Sequence, residues 1–139
     1  MTSVLIDTDV ILDFFFDRKP FADDAAKILS LCELKEIKGF VTPVIISNVY
    51  YLLRQSAKHE KVIEKLKALL QIIDVLVMDR NTVLRALSSE FKDFEDALQN
   101  FAADESNVVE VILTRNFKDF KSSKLSISTP ENYLKSRMI

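Results

Sequence analysis

The chain has 139 residues, 48% hydrophobic and 29% charged, with a net charge of −2. That balance fits one folded domain and argues against a disordered chain or a cationic nucleic-acid coat. Gly39 is the only glycine, which excludes a Walker phosphate loop and a dinucleotide fingerprint, since both need several glycines for close backbone approach. His59 and Cys32 are each alone of their kind, so an internal disulfide is excluded, and neither a His/Cys zinc set nor a Ser-His-Asp or Cys-His triad is expected. No apolar run approaches the roughly 18 residues of a membrane span. Met1-Thr2-Ser3 lacks the basic start of a signal peptide, so the expected location is the cytoplasm and no membrane partner is expected.

In chain order, residues 3–6 read as a buried strand and 9–17 as a helix started by Thr8 or Asp9. Pro20 opens a second helix with Phe21, Ala25, Ile28, Leu29 and Cys32 on one face. Gly39 to Val41 is a short strand, and Thr42-Pro43 caps and starts a helix through Gln55. His59 to Leu70 is helical, Ile73 to Met78 a strand interrupted by Asp74, and Asp79 the cap of another helix. A helix over Asp93 to Ala103 follows, then a strand over 108–113, a strand at Leu125 to Ile127 and a terminal helix from Thr129-Pro130. Strands alternating with helices predict a single α/β domain over 1–139, with a central parallel sheet of about five strands flanked by helices.

Asp7 follows the first apolar run directly, and Asp119 follows the run ending at Leu113 by a few residues. Chemistry in open α/β sheets collects beyond the carboxyl ends of the strands, so these acids are candidates for a shared pocket. Between them lies a helix on which Asp93, Asp96 and Asn100 share a face at i, i+3 and i+7. Like charges so spaced are unfavourable unless neutralised, which a bound cation would do, although Asp93 also suits the helix N-terminus. Asp9 can cap the first helix, leaving Asp7 free to face a ligand. An oxygen-only set of this kind suits Mg²⁺ or Mn²⁺, with Asp7, Asp96 and Asp119 as ligands and catalytic carboxylates.

These strings resemble the PIN domain family. Leu5-Ile6-Asp7-Thr8-Asp9 is similar to its opening motif of a hydrophobic residue, Asp, Thr and Asn. Asp93-Phe94-Glu95-Asp96-Ala97-Leu98 resembles its central helix, Thr114-Arg115-Asn116-Phe117-Lys118-Asp119-Phe120 its late motif, and Ser128-Thr129-Pro130-Glu131 its ending. The resemblance implies a small α/β fold and Mg²⁺- or Mn²⁺-dependent cleavage of single-stranded RNA. It also implies a toxin of the VapBC type, often a homodimer, with an antitoxin protein as partner. Carried across, Asp7, Asp96 and Asp119 hold the metal, Asn116 adds a polar contact and Thr8 helps fix Asp7.

Two positions depart from the pattern. Asp9 stands where the family has Asn, and Asn48 where it has a second metal glutamate. Asn48 keeps an oxygen but no charge, so either Asp9 or Asp93 compensates or the site is degenerate. Arg115 and Lys118, with Lys121 and Lys124, are candidate RNA-phosphate contacts, and Tyr50, Tyr51 and Phe117 candidate base platforms. The alternative reading is a PIN-like domain that binds RNA or protein without turnover. A phosphatase of the haloacid-dehalogenase type ranks lower, because Val10-Ile11 follows the Asp7-Thr8-Asp9 string where that family has Gly-Thr.

Overall fold

The computed structural model describes residues 1–138. Its sheet has five strands, all parallel, in the order β3-β2-β1-β4-β5. These are β1 (Thr2–Ile6), β2 (Ile37–Val41), β3 (Asp74–Val75), β4 (Val111–Leu113) and β5 (Ser126–Ser128). Seven helices connect and flank them: α1 (Thr8–Phe15), α2 (Ala22–Glu33), α3 (Pro43–Leu53), α4 (His59–Leu69), α5 (Arg80–Leu87), α6 (Phe94–Ser106) and α7 (Pro130–Arg137). A short 3-10 turn spans Phe117–Phe120. No described helix is long and apolar enough to cross a membrane.

The central strand explains its own composition. Val4, Leu5 and Ile6 of β1 are fully buried without alternation, as a parallel strand covered on both faces requires. At Gly39 on β2, helix α2 comes close to the sheet. A Cβ there would stand 2.6 Å from Cys32 Sγ and 2.9 Å from Ile73 Cγ2, closer than packed atoms tolerate. Helix α1 packs on α2 and α3, α2 on α7, and α5 on α6. A smaller cluster of Ala86, Ala97 and Leu98, with Val44, Met78, Phe91 and Phe101 against it, seats the first turns of α6.

Several expected boundaries shift, each for a local reason. Helix α2 begins at Ala22 rather than Pro20, because Pro20 and Phe21 lie in the turn that precedes it. Strand β3 keeps only two of the six expected residues; the exposed Asp74 turns its carboxylate onto Val75 N–H at 2.8 Å, which accounts for an acid in an apolar run. Helix α6 runs on to Ser106 and stops where Asn107 adopts the left-handed conformation, φ 57°. The Ser106 hydroxyl then accepts from the N–H groups of Val108 and Val109, so β4 starts at Val111 instead of 108.

Candidate active site

The chain runs from β1 outward to β2 and β3, then returns to place β4 on the other side of β1. The crevice beyond the ends of β1 and β4 is therefore the topological switch point of the sheet. Asp7 follows β1 and Thr114 follows β4, and the Asp7 N–H donates to Leu113 O at 3.0 Å, fixing the two strand ends to each other.

Asp7 is the N-cap of α1: its Oδ1 accepts from Thr8 N–H at 2.8 Å. The helix starts at Thr8 as expected, but the expectation that Asp9 caps it and leaves Asp7 free is corrected. Its other oxygen, Oδ2, accepts from the Thr114 hydroxyl at 2.9 Å, and Thr8 fixes Asp7 through its backbone. Asp9 does not cap. Its Oδ2 accepts from Arg115 N–H at 3.0 Å, while its Oδ1 is buried with no hydrogen-bond partner.

Helix α6 delivers the second group of acids. Asp93 is its N-cap, accepting from Asp96 N–H at 3.0 Å, and Asp96 stands half-buried above the Ala97-Leu98 seat. The third acid, Asp119, rides the 3-10 turn, which the buried Phe120 anchors edge-on against Phe91 at 6.0 Å. Asp7, Thr8, Asp9, Asn48, Asp93, Asp96, Asn116 and Asp119 all line one cleft of about 510 Å³, as do Glu95, Gln99, Arg18 and Tyr51. Asp7, Asp96 and Asp119 are thus brought to one place.

The acids press on one another. Burial, then the Asp9 charge, raises the Asp7 pKa from 3.8 to about 6. Burial, then the charges of Asp7, Asp93, Asp119 and Glu95, raises that of Asp96 to about 7. Burial also raises Asp9, against the opposing pull of Arg115. Among the described residues no three His, Cys, Asp or Glu side chains are drawn together as a preassembled metal cage. The donor set is crowded, anionic and open.

Other expected residues go elsewhere. The Arg115 guanidinium, expected at RNA phosphates, is held by the buried Asp13 through Nε at 2.7 Å and Nη2 at 3.0 Å, and lies 4.0 Å from the Phe21 ring centroid. Lys118 and Lys121 line a neighbouring pocket that shares Asp93 and Asp119 with the cleft, and Lys124 lines a more distant one. Tyr50 turns its hydroxyl to His59 Nδ1 at 2.8 Å, whereas Tyr51 is 68% exposed at the cleft. Phe117 is exposed on its turn. Asn100 is buried and bonded to Ser123; it does not share the cleft with Asp96, and Gln99 takes that place, accepting from the Thr42 hydroxyl. Asn48 is half-buried and donates to Glu95 Oε2 at 2.9 Å.

Arg18, Gln99 and Glu95 line the cleft and were not singled out from sequence, nor was Thr114, whose hydroxyl bonds to Asp7. Thr114 had a signal, a hydroxyl directly after an apolar run. Arg18 had none in spacing, and Glu95 lies off the i, i+3 line that joins Asp93 to Asp96.

The PIN domain family profile matches residues 3–118. No curated protein matches the sequence. Among solved structures, a toxin–antitoxin complex from Klebsiella pneumoniae superposes with TM-score 0.69 at 21% identity, covering 91% of this chain and 97% of that one. VapBC2 from Rickettsia felis, bound to a promoter DNA fragment, gives 0.67 at 16% identity, covering 92% and 98%. VapC20 of Mycobacterium tuberculosis, a toxin that cleaves the sarcin-ricin loop, gives 0.63 at 13% identity, covering 85% and 95%. The match over most of the length, on a five-stranded parallel α/β fold with acids at its switch point, places the chain in the PIN domain family.

Proposed function

We propose that residues 1–139 form one nuclease domain that cleaves single-stranded RNA with Mg²⁺ or Mn²⁺, as the toxin of a VapBC-type pair. The observation that carries this reading is the gathering of Asp7, Asp96 and Asp119 from three separate chain segments into one cleft. The similar structures support the rest: one is a toxin–antitoxin complex and another is a sarcin-ricin loop cleaving toxin. They motivate an antitoxin protein as partner in the cytoplasm. The exposed rings of Phe14, Phe16 and Phe21 offer apolar surface to a second copy of the chain or to the antitoxin.

The donor set fits a hydrated hard cation. All its groups are oxygens, Asp9 Oδ1 is buried without a partner, and Mg²⁺ needs only one or two direct carboxylates because it keeps several waters. When bound, such an ion activates a water and offsets charge on the scissile phosphodiester. Asp7, Asp96 and Asp119 would hold it. The Thr114 hydroxyl and Thr8 N–H keep Asp7 in one orientation. Asp93 fixes the first turn of α6 beneath Asp96, and Asn116 adds a neutral polar group. Arg18 at the cleft and Lys118 beside it meet the flanking RNA phosphates, and the exposed Tyr51 offers a face on which a base stacks. Arg115 acts behind the cleft by holding Asp13 and, through its N–H, Asp9.

The test is Mn²⁺-dependent cleavage of a single-stranded RNA by the wild type and by Asp7→Asn. Cleavage that depends on the ion and vanishes in the variant supports the enzyme. RNA affinity without cleavage in either protein favours the second reading, a degenerate binding domain, for which the neutral Asn48 is the supporting observation.

A further inference from the structure

Glu95 is held toward the acidic cleft by an amide from another helix. Asn48, in the middle of α3, reaches across to α6 and donates its Nδ2–H to Glu95 Oε2 at 2.9 Å. Both residues line the cleft that contains Asp7, Asp96 and Asp119. An exposed glutamate in the first turn of a helix ordinarily keeps its rotamer freedom and points its charge into water. Here it is tied down in the cleft that also holds Asp96. Fixing one more negative charge among others is unfavourable unless a cation joins them.

The other candidates for a compensating acid, Asp9 and Asp93, each give one oxygen to a backbone N–H, that of Arg115 and that of Asp96. Glu95 is held through a single oxygen by a side-chain amide. An amide is also the group this contact requires. A carboxylate at position 48 would face Glu95 as a like charge, whereas Asn donates a hydrogen bond.

We infer that Glu95, positioned by Asn48, is a carboxylate of the metal site, so that α6 supplies the charge that α3 lacks. This rests on the metal-dependent reading given above and deepens it. Positions 48 and 95 then act as an exchangeable pair: an amide on α3 with an acid on α6, or an acid on α3 with an amide on α6.

Mn²⁺ binding by titration calorimetry tests this without reference to activity. The proteins compared are wild type, Glu95→Gln, the double variant Asn48→Glu/Glu95→Gln, and Asp96→Asn as a control for the site. Glu95 is exposed, and thermal melts verify that each variant is folded. The expected result is a loss of affinity of roughly tenfold or more in Glu95→Gln, with most of it regained in the double variant. Wild-type affinity in Glu95→Gln, alongside weakened binding in Asp96→Asn, overturns the inference and leaves the metal site standing. A double variant no better than Glu95→Gln overturns the exchange of roles. Absence of Mn²⁺ binding in the wild type overturns the metal site and this inference together.

Discussion

Helix α6 carries acids at both ends, and the structure treats them in opposite ways. Near its C-terminus Asp104 and Glu105 are clamped by Arg85, at 2.8 Å and 3.1 Å, and Thr82 donates its hydroxyl to Glu105 at 2.6 Å. At its N-terminus Asp93, Glu95 and Asp96 have no ion-pair partner among the described residues. Helix α1 and its cap repeat the contrast, with Asp13 bound by Arg115 and approached by Arg18 at 3.5 Å, while Asp7 and Asp9 have no salt bridge. The helix dipole favours acids at the N-terminus by about 0.3–1 kcal/mol each, too little to settle a group this dense. Burial first, and then the neighbouring carboxylates, disfavour charge on Asp7 and Asp96 and raise both pKa values. Arg18 lines the cleft and Arg115 lies behind it, yet the ion pairs of both go to Asp13. The paired acids are tied into the fold; the unpaired ones line the cleft.

The sharpest way to break this comparison is to neutralise one acid from each group. Asp96→Asn is expected to lower single-turnover RNA cleavage by roughly 100-fold or more, as loss of a metal carboxylate should, while Asp104→Asn leaves it unchanged. Equal losses in the two would erase the distinction.

Stability should respond in the opposite sense. Asp13 is 1% exposed, and Asp13→Ala strands Arg115 half inside the protein. Breaking such a pair costs about 3 kcal/mol, measurable by urea unfolding, whereas Asp96→Asn is expected to stabilise the ion-free protein at neutral pH.

A smaller effect follows from pH. In the folded chain Asp7 and Asp96 keep their protons up to about 6 and about 7, rather than 3.8. Folding therefore takes up protons between those values. Their contribution to stability is fully present below 3.8 and is lost as pH rises through about 6 to 7. Melting of the ion-free protein is expected at a higher temperature near about pH 5 than near about pH 8, and Mn²⁺ should reduce the difference by stabilising the ionised form. A melting temperature that rises with pH over this window would contradict the assignment.

The part of this site legible in the sequence was the part written locally. An apolar run ending in Asp7, and a helix whose period puts Asp96 beside Asp93, needed only neighbouring residues to be read. The five-stranded parallel sheet followed from the alternation of strands and helices. What local pattern could not supply was partners far along the chain. The Thr114 hydroxyl that orients Asp7 is 107 residues away, and Asn48 and Glu95 are 47 apart. Arg115 looked like a phosphate contact because its charge was visible and its bond to Asp13, 102 residues away, was not. Gln99 and Asn100 show the limit of helical periodicity, since a difference of one residue sends one side chain to the cleft and the other to Ser123.

The central claim is that the unpaired carboxylates are balanced by a divalent cation, and proton release on Mn²⁺ binding tests it most directly. At about pH 6.5, where Asp7 and Asp96 are partly protonated, calorimetry in two buffers of different ionisation enthalpy measures that release. The account predicts protons released by the wild type and fewer by Asp96→Asn. Mn²⁺ bound with no proton release, or with the same release in both proteins, would contradict it.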